Sequence, residues 1–250
     1  MKFKMKNTND INPVLKITDL RKSFDDNHVL NGFFMELYEG ENLVIMGKSG
    51  SGKSVMIKCL VGLLQPDHGE IEIMNKNIND LEQDELNNLR TEIGFLFQGS
   101  ALYDSMTVRE NLKFPLRTRK KDAAEAERLV LEALKSVGLT EAINLMPSEL
   151  SGGMKRRVAL ARAIILHPKV IIYDEPTTGL DPITAKEIIE LMRSIQHKYK
   201  ASSLIITHDL DCARVIANRM ILLIDGINYA QGTFKEISSS KDKKIQAFFK

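Results

Sequence analysis

With 250 residues, the chain is long enough for one large domain, or for a core that carries an inserted lobe. A hydrophobic share of 43% excludes a disordered polymer. A net charge of +2, 6% aromatics and no tryptophan leave no general case for a nucleic-acid binder.

The segment 1–6 is basic, but 8–13 is polar, which argues against a signal peptide. Segment 14–38 alternates, with turn residues at Asp25-Asp26-Asn27 and Asn31-Gly32, and predicts antiparallel strands. A compact apolar strand at 41–46 enters a glycine-rich loop, and a helix follows at 54–64, stopping near Pro66. A strand at 71–74, a helix at 84–90 and a strand at 93–97 come next. The pattern then turns helical at 108–116, 122–137 and 140–145, with no strand among them. A helix at 153–166 ends at His167-Pro168. Strand 170–173, helix 183–199, strand 203–207, helix 210–218 and strand 220–224 complete an alternation that predicts a parallel α/β core. No window reaches the roughly 18 apolar residues of a membrane helix, so any action at a membrane needs a partner. Cys59 and Cys212 stand far apart without a CxxC pattern and read as reduced, mostly buried thiols.

The sharpest chemical signal is Gly47-Lys48-Ser49-Gly50-Ser51-Gly52-Lys53-Ser54, a GxxxxGK[ST] pattern between a predicted strand and a predicted helix. Glycines let the backbone curl so that several N–H groups face one anion, and the helix start adds positive potential. Lys53 is expected to reach the β- and γ-phosphates of ATP, and the Ser54 hydroxyl to bind Mg²⁺. Gly47, Ser49, Gly50, Ser51, Gly52 and Val55 complete the expected nucleotide-binding set. Asp174-Glu175 ends an apolar strand. Asp174 is expected to hold Mg²⁺ and Glu175 to act as general base on the attacking water. Leu150-Ser151-Gly152-Gly153-Met154 opens another helix, a second anion-binding N-terminus.

That last motif, followed by Lys155-Arg156-Arg157, resembles the signature of ABC ATPases, and it precedes Asp174 at a spacing similar to that family's. The resemblance runs over about 14–232 and implies roles for further residues. Gln98 resembles the Q-loop glutamine, which contacts Mg²⁺ and senses a permease. His208 resembles the switch histidine near the γ-phosphate. Asp181, in Gly179-Leu180-Asp181, resembles the D-loop. Phe24 stands where the family carries an aromatic that stacks on adenine, a core phenylalanine being the plain alternative. The implied fold is a P-loop NTPase (RecA-like) ABC ATPase core, with an N-terminal antiparallel β subdomain and an inserted helical subdomain at about 100–165. Both lie in a single domain 14–240 with a tail 241–250. The implied mechanism is a homodimer in which each ATP lies between the P-loop of one copy and Ser151, Gly152 and Gly153 of the other.

Finer similarities point to one branch. Met154-Lys155-Arg156-Arg157, the stretch from Phe97-Gln98-Gly99 to Val108, and Asp181-Pro182-Ile183-Thr184 resemble the Mla-type ATPase of phospholipid transport. That resemblance implies an MlaE-like permease, an MCE-domain partner and a peripheral place on the cytoplasmic face of the inner membrane. An amino-acid importer or a lipoprotein-release system stays open as an alternative. A soluble repair or translation ATPase is disfavoured: the stretch between Gln98 and Leu150 is too short for a long coiled coil, and there is one P-loop. Lys53, Asp174, Glu175 and His208 together argue against a catalytically dead module. Arg117-Thr118-Arg119-Lys120-Lys121 reads as a solvated face rather than a nucleic-acid site. Ile245 to Phe249 offers an apolar terminus to this subunit or to its mate, with this subunit favoured.

Overall fold

The computed structural model describes residues 12–119 and 122–249; the readings of the basic first residues and of Lys120 and Lys121 lie outside them. The described residues form, in chain order, β1 (Leu15–Phe24), β2 (Asn27–Leu37), β3 (Asn42–Met46), α1 (Lys53–Leu60), β4 (His68–Ile73), β5 (Lys76–Asn77), α2 (Gln83–Arg90), β6 (Ile93–Leu96), α3 (Val108–Lys113), α4 (Ala123–Ser136), α5 (Gly152–Ile164), β7 (Val170–Asp174), α6 (Pro182–Tyr199), β8 (Ser202–Thr207), α7 (Leu210–Ile216), β9 (Arg219–Ile224), β10 (Ile227–Gly232), α8 (Phe234–Ser238) and α9 (Lys243–Gln246).

The strands form two sheets. One is antiparallel, in the order β2-β1-β4-β5; the other runs β10-β9-β3-β8-β7-β6 and is parallel except for β10. The parallel strands are continuous apolar runs because both of their faces are covered. Successive residues go to opposite layers. Val44, Met46, Ile171, Tyr173, Ile205, Met220 and Leu222 pack with the helices α3 to α7. Leu43, Ile45, Val170, Ile172, Leu204, Ile206, Ile221 and Leu223 pack with α1 and the antiparallel sheet. Helix α5 belongs to both the helical lobe and the core. It runs so close to β6 that a Cβ on Gly94 would stand 2.4 Å from the Ala163 carbonyl oxygen.

The predicted α/β arrangement with an antiparallel β part and a helical insertion is the observed one. Some details differ. Asn31-Gly32 is no turn: it lies inside β2 where the pairing with β1 shifts register, and only Asp25-Asp26 turns the hairpin. The predicted helix 108–116 stops at Lys113 and continues as 3₁₀ turns over Phe114–Arg119, since Pro115 brings no N–H to an α-ladder. Segment 140–145 is 3₁₀ rather than α, over Thr140–Asn144. The tail docks on its own subunit. Ile245 is buried, and the Phe249 ring meets Phe234 edge-on at 5.6 Å between centroids. No helix among the described residues is long and apolar enough to cross a membrane.

Candidate functional site

Four neighbouring parallel strands, β3, β8, β7 and β6, end at the same edge of the sheet. Loops leaving the carboxyl ends of such strands share one crevice. Here β3 leads into the loop Gly47-Gly52, β6 into Gln98, β7 into Asp174-Glu175 and β8 into His208. A cavity of about 510 Å³ lies among them. It is lined by Ser49, Gly50, Gly52, Lys53, Ser54, Val55, Gln98, Asp174, Glu175 and His208, together with Val29 and Lys48, which sequence reasoning did not single out.

The loop is built to face an anion. Its one internal backbone bond runs from the Ser51 N–H to the Lys48 carbonyl at 3.1 Å. Helix α1 starts from Gly52 in the left-handed region, with no side-chain cap and no acidic residue in its first turn. The N–H groups of Gly50, Gly52, Lys53 and Ser54 therefore donate to no acceptor among the described residues. Gly47 and Ser51 line no part of the cavity but shape the loop: a Cβ on Gly47 would lie 2.3 Å from Ser51 Oγ. The Lys53 ammonium is folded onto the loop, donating to the Gly47 carbonyl at 2.6 Å and the Lys48 carbonyl at 3.0 Å. Burial holds its pKa below the ordinary lysine value, opposed by the charges of Glu175 and Asp174.

Across the cavity, burial and the neighbouring Glu175 push the Asp174 carboxyl upward, opposed by Lys53 and Arg156. Glu175 is buried and sits at φ 50°, a left-handed conformation rarely held by a non-glycine residue and frequent at functional sites. Its amide donates to the Ile206 carbonyl at 2.8 Å. Its Oε2 meets His208 Nδ1 at 2.8 Å and accepts from Thr178 Oγ1 at 3.1 Å. With Glu175 ionised, Nδ1 carries the proton of that bond, and Nε2 is left to act elsewhere. Ser54, Gln98 and Asp174 offer a hydroxyl, an amide and a carboxylate oxygen. An all-oxygen set with a single carboxylate suits Mg²⁺, which fills its shell from phosphates and water. The described residues contain no cluster of three His, Cys, Asp or Glu that would cage a metal without substrate.

The remaining expected residues lie outside the cavity. Phe24 ends β1, 46% exposed, with Lys22 Nζ 5.6 Å from its ring centroid. Ser151 caps α5, accepting from the Met154 N–H at 3.2 Å; Gly152 faces open space. Asp181 caps α6 through the N–H groups of Ile183 and Thr184, and takes the Thr184 hydroxyl at 2.6 Å. That hydroxyl and the backbone bonds hold its carboxyl below the usual range. Arg156 and Thr178, which brace the site from behind, were missed. The basic stretch after Gly153 was the available signal for the first.

The protein-family model described as ABC transporter matches residues 30–178, more than half of the chain. The methionine import ATP-binding protein MetN of Clostridium tetani is 41% identical over 213 residues, covering 85% of this chain and 67% of that protein. The chloroplastic protein TRIGALACTOSYLDIACYLGLYCEROL 3 of Arabidopsis thaliana is 39% identical over 258 residues, 96% of this chain and 74% of its own. Among solved structures, the dimeric post-hydrolysis state of the ATP-binding cassette MJ0796 with ADP and Pi superposes with a TM-score of 0.80 at 34% identity, over 88% of this chain and 98% of that one.

Proposed function

This chain belongs to the ABC transporter family of ATP-binding proteins, and we propose that two copies of it close on two ATP molecules and drive a membrane permease. The chain is an ATPase that uses ATP with Mg²⁺. The observation that carries the two-copy reading is a separation. Ser49, Gly50, Gly52, Lys53, Gln98, Asp174, Glu175 and His208 share one cavity, whereas the exposed α5 start at Ser151-Gly152 lines none of it. A second anion-binding helix start that faces outward completes the cavity of another copy, not its own.

In this reading the free N–H groups of the loop cradle the phosphates, and Lys53 leaves the Gly47 and Lys48 carbonyls to pair with them. Ser54, Asp174 and Gln98 would hold Mg²⁺, whose charge offsets that of the phosphates. Glu175 Oε2 is occupied by His208 and Thr178, so Oε1 is the oxygen that takes the proton of the attacking water. His208, oriented through Nδ1, turns Nε2 toward the terminal phosphate. Phe24 stacks on adenine, and Asp181 lies at the contact between copies. The chain then acts as a peripheral subunit on the cytoplasmic face of the membrane, held there by its permease.

The cargo we propose is a phospholipid, carried with an MlaE-like permease and an MCE-domain partner. Support comes from the Mla-type pattern at Met154-Lys155-Arg156-Arg157 and after Gln98, and from the name of the Arabidopsis relative, which refers to a glycolipid. A second reading is methionine import, favoured by the Clostridium relative at 41% identity. Co-expression with the native permease and assay of the purified complex in nanodiscs decides between them. Phospholipid transfer that stops in Lys53→Ala supports the first; ATP-driven methionine uptake without lipid transfer replaces it with the second.

A further inference from the structure

Arg156 is a charged side chain that the ATPase reading does not use, yet it is only 4% exposed. It lies in the first half of α5, on the helix that begins at Ser151. Its guanidinium forks. Nη1 donates to the Phe97 carbonyl at 2.8 Å and Nη2 to the Thr178 carbonyl at 3.2 Å, while Nε is buried without a partner. Both bonded partners are backbone oxygens rather than a carboxylate. Burying a cation on two carbonyls is costly unless the geometry is useful.

The two carbonyls belong to different motifs. Phe97 immediately precedes Gln98, and the other end of that loop is held by Arg162, which donates to the Ala101 carbonyl at 2.7 Å and the Ser100 carbonyl at 3.0 Å. Thr178 sits in the turn after Glu175, and its hydroxyl donates to Glu175 Oε2, the same oxygen that meets His208. One guanidinium therefore joins the Gln98 loop to the Thr178 backbone, and the hydroxyl of that same threonine bonds the carboxylate of Glu175.

We propose that Arg156 is a positioning residue that locks the Gln98 loop and the Thr178 turn into one unit, so that a shift of α5 moves Gln98 and Glu175 together. This rests on the ATPase reading given above, with Gln98 as a metal-side group and Glu175 as the base. A planar fork can serve two carbonyls at once; a lysine ammonium, as a point donor on a flexible stem, holds one. Arg162 touches only the first loop and serves as an internal control.

The test uses Arg156→Lys and Arg162→Lys in the full chain, with two readouts. In hydrogen–deuterium exchange, Arg156→Lys is expected to speed exchange in both the 97–101 and the 176–181 segments, leaving β3 and β8 unchanged. Arg162→Lys is expected to affect the first segment only. In Mg-ATP hydrolysis, Arg156→Lys is expected to lower kcat by about tenfold to a hundredfold with KM within about threefold, the signature of a misplaced reacting group. Gln98→Ala is expected to cost much less in the Arg156→Lys background than in wild type, because the two act as one unit. Exchange confined to one segment, exchange rising throughout the core, or additive losses in the double variant would overturn the proposal. A wild-type chain that never hydrolyses ATP overturns the ATPase reading instead, while the exchange pattern still reports on Arg156.

Discussion

Gly52 and Gly50 lie two residues apart in one loop, and both adopt positive φ, at 100° and 78°. Their surroundings differ, which lets a pair of alanine variants separate backbone strain from packing. A Cβ at Gly50 would meet nothing within 4 Å, so Gly50→Ala carries only the left-handed strain, about 1–2 kcal/mol. A Cβ at Gly52 would stand 3.0 Å from Leu30 Cδ2, 3.0 Å from the Val29 carbonyl oxygen and 3.2 Å from Val29 Cγ1. The leucine methyl can swing aside; the Val29 carbonyl is backbone of β2 and can yield only if the strand itself shifts. Overpacking of this kind adds about 1–3 kcal/mol, so Gly52→Ala is expected to cost about 2–5 kcal/mol in all. Urea unfolding of the nucleotide-free chain reads both values, provided the m-values match. Equal losses for the two variants, or a larger one for Gly50→Ala, would refute this reasoning.

Asp174→Asn is expected to stabilise the nucleotide-free protein while abolishing hydrolysis. Burial raises the Asp174 pKa, so its favourable contribution exists below the unfolded value and is lost as pH rises through the folded one. The ionised form that rising pH favours opposes folding, so a thermal melt should show the variant above wild type at pH 7, with the gain shrinking in acid; a lower melting temperature at pH 7 contradicts it. Burial pushes the Cys59 thiol up to about 11 and the Cys212 thiol up to about 12. Alkylation at neutral pH should therefore be slow in the folded chain and fast in denaturant, and equal rates would show that the thiols are not held this way. Ile245→Ala should destabilise the isolated monomer by about 2–4 kcal/mol, since the side chain packs into the core beneath the tail. No change in monomer stability would mean that the tail docks elsewhere in solution.

The chemistry of the site was legible because each motif ends a strand. The alternation of apolar runs with helices places β3, β6, β7 and β8 in one parallel sheet, and so brings Lys53, Gln98, Asp174-Glu175 and His208 to one edge. Side-chain contacts across that edge were not legible. Nothing in Ile-Ile-Thr-His-Asp tells that His208 turns back onto Glu175, or that the cation at 156, rather than those at 155 or 157, points inward to two carbonyls. Asn31-Gly32 misled because the same dipeptide serves turns and strand irregularities; here Asn31 instead ties the two sheets, its N–H bonding the Gly226 carbonyl at 2.9 Å. Strand β10 was overlooked although Asp225-Gly226 is a hairpin signal, because β10 alternates weakly and is only partly buried. The short helices α8 and α9 exist through tertiary packing and capping by Thr233 and Asp242 rather than through long periodicity.

In the two-copy reading, one chain holds half of each composite site. Size-exclusion chromatography with light scattering on Glu175→Gln, with and without Mg-ATP, tests it directly, and Glu175→Gln combined with Ser151→Arg is the control. The expected result is a dimer that forms only with Mg-ATP and that Ser151→Arg abolishes. A Mg-ATP dimer unaffected by Ser151→Arg, or a chain that stays monomeric with Mg-ATP both alone and when assembled with its permease, would contradict the claim and leave a one-subunit ATPase.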